Sequence, residues 1–135
     1  MDTDPDPSPV VSERATRASG TAAAVMVVDD DPSSRDILEL LLVAEGYRVL
    51  AAASPAEALV RLVQTGLSIE MLLTDVNLPG MSGPELADRV RVQCPGVRVA
   101  FVSGDLGPPA GACGVFVQKP VDLDALVALV RRELT

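Results

Sequence analysis

The chain contains no histidine and a single lysine, Lys119, against ten arginines. The lack of histidine removes the usual general base, the Ser–His–Asp and Cys–His arrangements, and most zinc sites. Where Arg otherwise carries the positive charge, a solitary Lys suggests a position that needs a compact ammonium. Aromatics are almost missing: Tyr47, Phe101 and Phe116 are the whole set, so the core is built from Ala, Val and Leu. Two cysteines, Cys94 and Cys113, make neither a disulfide framework nor a metal cluster, and idle thiols are expected of both. No apolar run is long enough to span a bilayer, and no hydrophobic segment follows the acidic, Pro-rich N-terminus to make a secretory signal. A net charge of −8 argues against nucleic-acid and anionic-membrane partners. The expectation is a soluble, cytoplasmic protein.

What remains is organised. Residues 1–22 lack apolar periodicity and read as a disordered acidic tail, leaving 23–135 as one domain with room for a proper core. Ala23–Val28 is a buried strand that stops at Asp29-Asp30-Asp31-Pro32, with Asp31 as helix N-cap and Pro32 at the first helical position. The following helix places Ile37, Leu38, Leu41 and Leu42 on one face and ends at Gly46. A second strand covers Tyr47–Ala51, and Ser54-Pro55-Ala56-Glu57 is a capping box that opens a helix closed by Gly66. The third strand, Ile69–Thr74, runs into Asp75 and a Pro79-Gly80 turn; Ser82-Gly83-Pro84-Glu85 opens the next helix, which ends near Cys94. Val97–Val102 and Val115–Gln118 are strands four and five, and Asp122 caps a last helix with Leu123, Leu126, Val127, Val130 and Leu134 on one face.

Strand and helix alternate, and the strands are apolar throughout, which implies a parallel sheet covered on both faces. Five strands predict a flavodoxin-like, doubly wound α/β fold in the order 2-1-3-4-5. The twelve residues between Val102 and Val115 include four Gly and two adjacent Pro, so the fourth crossover helix is expected to be missing or vestigial.

Parallel strands place all their C-terminal ends on one edge. Asp29 and Asp30, Asp75, Ser103 and Lys119 therefore converge there, while Cys94 and Cys113 fall on the opposite edge. Three carboxylates without a soft ligand suit Mg²⁺ or Mn²⁺. An ammonium and a hydroxyl suit a tetrahedral oxyanion, and together the set points to phosphoryl transfer to an aspartate. Read singly, each has a plainer explanation: dipole and capping acids for the Asp run, a loop hydroxyl for Ser103, a solvated loop end for Lys119. An acid ending a buried strand, as Asp75 does, needs a partner.

Val27-Val28-Asp29-Asp30-Asp31, Leu73-Thr74-Asp75-Val76-Asn77-Leu78-Pro79-Gly80-Met81-Ser82-Gly83, Val102-Ser103-Gly104 and Val117-Gln118-Lys119-Pro120 resemble the receiver domain of two-component response regulators, over about 23–135. The resemblance implies that Asp75 accepts a phosphoryl group from a sensor histidine kinase or a histidine phosphotransfer protein. It implies Mg²⁺ held by Asp30, Asp75 and the Asn77 carbonyl, with Asp29 acting directly or through water. Ser103 and Lys119 would bind phosphoryl oxygens. Phe116 occupies the family's aromatic switch position but lacks a hydroxyl, so it would act by burial or simply be a core aromatic. Asn77 and Asp105 sit where hydrolysis of the phosphoaspartate is tuned, and Gly104 would leave the phosphoryl group open, which implies a short-lived phosphoaspartate. The expectation is a stand-alone, non-enzymatic signalling phosphoacceptor acting on a downstream protein. The alternatives are a pseudo-receiver that is a constitutive interaction module, and an aspartyl-nucleophile phosphatase. The latter would want an acid where Asn77 stands.

Overall fold

A computed structural model describes residues 23–104 and 114–134. The expected tail, the crossover with its reduced helix, Asp105 and Cys113 lie outside the described residues. The elements are β1 (Ala24–Val28), α1 (Pro32–Ala44), β2 (Arg48–Ala52), α2 (Pro55–Thr65), β3 (Met71–Asp75), α3 (Gly83–Gln93), β4 (Arg98–Ser103), β5 (Val115–Gln118) and α4 (Leu123–Leu134). All strand pairs are parallel, in the order β2-β1-β3-β4-β5. The expected doubly wound fold is therefore the observed one.

The pleat of β1 explains how one sheet serves two cores. Successive side chains point to opposite faces, so Met26 and Val28 join Leu62, Leu72, Leu86 and Phe101 under α2 and α3. Val25 and Val27 join Leu38, Leu42, Leu73 and Val130 under α1 and α4. Each fully buried Val or Leu stabilises the fold by about 1.5–3 kcal/mol against exposure. β2 and β5 are the sheet's edges, and both are only partly covered. A fully buried sheet was expected of the apolar runs; the order itself leaves these two strands half open.

The helix starts follow from their caps. Asp31 accepts the Ser34 N–H at 3.2 Å and the Ser34 hydroxyl at 2.8 Å, with Pro32 starting the helix. Ser82 and Glu85 form the reciprocal capping box on α3. At α2 the box is offset: Ser54 accepts from the Glu57 N–H, but the Glu57 carboxylate reaches back to the Ala53 N–H at 2.7 Å. Asp122 accepts the Ala125 N–H at 3.1 Å and so caps α4.

Two helix faces differ from expectation. Ile37 is 49 % exposed and Leu123 39 % exposed, whereas Leu129, left off the expected face, is buried. Helices with excess apolar residues allow more than one face by periodicity; packing against the sheet selects one. Ile37 and Leu123 flank a groove instead, of about 290 Å³, bordered also by Asp29, Leu38, Lys119 and Val121.

Candidate functional site

The register fixes the site before any side chain is considered. Val28 pairs with Thr74, Asp75 with Val102 and Ser103 with Gln118, so β1, β3, β4 and β5 all end at nearly the same height. The Lys119 N–H donates to the Ser103 carbonyl at 2.8 Å, which ties the residue after β5 to the end of β4.

Asp29 is buried, Asp75 half-buried and Asp30 exposed, and one carboxylate oxygen from each lies within 4.8 Å of the others. Lys119 Nζ stands 3.3 Å from Asp75 Oδ2 and 3.7 Å from Asp29 Oδ2. The Asp31 N–H donates to Asp29 Oδ1 at 2.9 Å and orients that buried carboxylate. Ser103 is buried at the end of β4, and among the described residues nothing lies within 4 Å of where a Cβ on Gly104 would stand. Asn77 is exposed on the loop after β3, and Phe116 is half-buried against the core beneath α2 and α3.

The electrostatics follow from that crowding. Burial, with repulsion from Asp29 and Asp30, holds the Asp75 carboxyl above its ordinary pKa although Lys119 pulls the other way. Burial works against the Lys119 ammonium, but Asp29 and Asp75 outweigh it and raise its pKa. Three carboxylates face one ammonium, which leaves two negative charges uncompensated in the cluster. An all-oxygen donor set with that deficit fits a hard divalent cation, Mg²⁺ or Mn²⁺, and excludes the thiolate and imidazole sites of softer metals.

Two contributors were given no role at the site by the motif reading. A Cβ on Gly83 would overlap the Asp75 carbonyl oxygen, so the first turn of α3 rests directly on the backbone of β3's last residue. The Gly83 N–H also donates to the Val76 carbonyl at 2.7 Å. Its place in the Ser82–Glu85 capping box was the visible signal, but a cap alone does not reveal what the helix end touches. Arg35 is the second: its Nη1 donates to the Asp29 carbonyl at 2.8 Å. Of the opposite edge, Cys94 is buried and reduced, its sulfur facing the Ile69 N–H at 3.4 Å.

The family model described as "Response regulator receiver domain" matches residues 25–131. The sensor kinase CckA of Brucella abortus is 34% identical over 128 residues, covering 90% of this chain and 13% of that protein. The transcriptional regulatory protein AruR of Pseudomonas aeruginosa is 37% identical over 121 residues, covering 80% of this chain and 49% of that protein. The chain thus spans less than half the length of either relative. Among solved structures, the receiver domain of the hybrid histidine kinase CckA superposes with a TM-score of 0.74 at 33% identity, over 84% of this chain and all of that one. The chemotaxis response regulator CheY4 of Vibrio cholerae gives 0.73 at 27% identity, over 84% of this chain and 99% of that one. No helix among the described residues is long and apolar enough to cross a membrane.

Proposed function

The chain belongs to the response regulator receiver family, and on that premise we propose that Asp75 is the phosphoacceptor of a Mg²⁺-dependent transfer from a phosphohistidine. The observation that carries this reading is the Asp29–Asp30–Asp75 cluster faced by the chain's only lysine. An Asp75 carboxylate oxygen attacks phosphorus, the phosphorus–nitrogen bond breaks, and the departing imidazole takes a proton from solvent. Partial burial strips water from the Asp75 carboxylate, which favours it as a nucleophile. Asp29, Asp30, Asp75 and the Asn77 carbonyl would hold the cation, which supplies charge neutralisation at the phosphoryl oxygens. Lys119 binds a phosphoryl oxygen once its contact with Asp75 is given up, and the Ser103 hydroxyl donates to another.

This sequence has no histidine, so the phosphohistidine lies outside it, on a sensor histidine kinase or a phosphotransfer protein. The exposed apolar side chains Ile37 and Leu40 on α1 support that reading, since Ile37 borders the groove that reaches Asp29 and Lys119. The reaction belongs in the cytoplasm, where such donors are charged from ATP. Phosphorylation then alters affinity for a downstream protein, with Phe116 as the aromatic that changes its burial. The chain is a signalling phosphoacceptor, not an enzyme with turnover on an outside substrate.

The test is incubation with Mg²⁺ and a small acyl phosphate, read by intact mass. One phosphoryl group per chain, lost in Asp75→Asn, is the expected result. An unlabelled protein with an intact fold would favour a constitutive interaction module, and turnover of a phosphoester would favour a phosphatase.

A further inference from the structure

Arg35 lies one turn into α1, half-buried, and its guanidinium donates to the main-chain carbonyl of Asp29, at 2.8 Å. That carbonyl belongs to the peptide unit joining Asp29 to Asp30. Because the unit is planar, a donor fixed on its oxygen fixes the orientation in which the chain enters Asp30. The two acids differ in how much they need this. The Asp29 side chain is buried, bonded to the Asp31 N–H and close to Lys119. The Asp30 side chain is exposed, and no hydrogen bond holds its carboxylate among the described residues, yet its oxygen comes within 4.8 Å of those of Asp29 and Asp75. Its position is set by its backbone, and Arg35 grips that backbone.

We infer that Arg35 is a positioning residue for the cation site: it clamps the Asp29–Asp30 peptide and so aims the Asp30 carboxylate at the cluster. The inference rests on reading the acid cluster as a Mg²⁺ site. Lys119 flanks the acids from β5, the far edge of the sheet. Arg35 holds them from α1, through the main-chain carbonyl of Asp29. The sign of the effect separates a clamp from a bystander charge. A guanidinium that merely sat near the site would repel a divalent cation, and removing it would tighten binding. A clamp has the opposite sign, because losing it frees Asp30 and adds an ordering cost to every binding event.

The experiment is Mg²⁺ titration calorimetry on the unphosphorylated full chain, comparing wild type with Arg35→Met, which keeps the stem but has neither donor nor charge, and Arg35→Lys, which keeps the charge with shorter reach. Arg35→Met is expected to weaken Mg²⁺ binding about tenfold, the scale of losing a supporting contact to a metal ligand, with Arg35→Lys between it and wild type. The Mg²⁺ concentration for half-maximal phosphorylation should rise by the same factor while the rate at saturating Mg²⁺ stays near that of wild type. The backbone amide resonance of Asp30 should shift in metal-free Arg35→Met, a readout that does not depend on activity. Equal or tighter Mg²⁺ binding by Arg35→Met, with the protein folded, would overturn the assignment. An unmoved Asp30 resonance would overturn it too, even if stability fell. Wild type that takes up no Mg²⁺ would overturn the cation site itself and this inference with it.

Discussion

Lys119 Nζ lies 3.3 Å from Asp75 Oδ2, yet Asp75 still has a raised pKa, because burial and two neighbouring acids together outweigh one ammonium. The consequence for stability has a definite sign. A carboxyl whose folded pKa is above its unfolded value binds its proton more readily in the folded state, so ionising it costs stability. That cost appears as pH rises from about the ordinary value of 3.8 through the folded pKa and is largest above it. Asp75→Asn removes it and should stabilise the metal-free protein at pH 7 by about 0.5–2 kcal/mol, the usual gain from relieving a functional site. Urea unfolding at neutral pH checks this, and the gap should close in acid, where the wild-type carboxyl is protonated. Saturating Mg²⁺ should narrow it as well, by binding folded wild type.

Gly83 gives the second expectation. A methyl group there meets the Asp75 carbonyl and the Val76 Cα, both main-chain atoms that cannot swing aside. Gly83→Ala should cost about 1–3 kcal/mol, as forced overpacking does, and slow phosphorylation by displacing Asp75. Thermal unfolding together with the phosphorylation rate from acyl phosphate reads both effects. A variant with wild-type stability and rate would show that α3 and β3 separate freely.

Much of this arrangement was legible in the residues themselves. Each strand is an apolar run cut off by a polar residue, so the ends of β1, β3 and β4 and the place of Lys119 could be read off, and a parallel sheet brings such ends together. The structure brings Asp29, Asp30, Asp75 and Lys119 within reach of one another. The supporting contacts were not legible. Arg35 and Gly83 act on main-chain atoms six and eight residues away from them in sequence, and no periodicity or cap signal encodes such a contact. Helix faces failed for another reason. With apolar residues on most sides of α1 and α4, only docking on the sheet decides that Leu129 is buried while Ile37 and Leu123 are not.

The exposed face of α1 leads to a separation of donors. Ile37 and Leu40 are 49 % and 71 % exposed, so Ile37→Glu and Leu40→Glu should leave the fold and the reaction with a small acyl phosphate unchanged. Transfer from a phosphorylated histidine-containing protein should slow about tenfold or more, as when an apolar contact at the centre of an interface is lost. Equal slowing with both donors would place the effect in the site and not in docking.

Gly104 controls access from the other side. Nothing among the described residues lies within 4 Å of where its Cβ would stand, so Gly104→Val should fold normally. The added side chain would screen a phosphoryl group on Asp75 from attacking water and lengthen the phosphoaspartate lifetime several-fold. Following the decay of the labelled protein in Mg²⁺ buffer measures this. A wild-type half-life of many hours would contradict the open, short-lived phosphoaspartate expected of a glycine there.

The most direct test of the central claim is to trap the bond itself. After reaction with acyl phosphate and Mg²⁺, borohydride reduces an aspartyl phosphate to homoserine, and peptide mass spectrometry locates the change. The expected result is homoserine at position 75 alone, abolished by chelating the cation. Reduction at another acid, or none at any position in a folded, Mg²⁺-loaded protein, would contradict it.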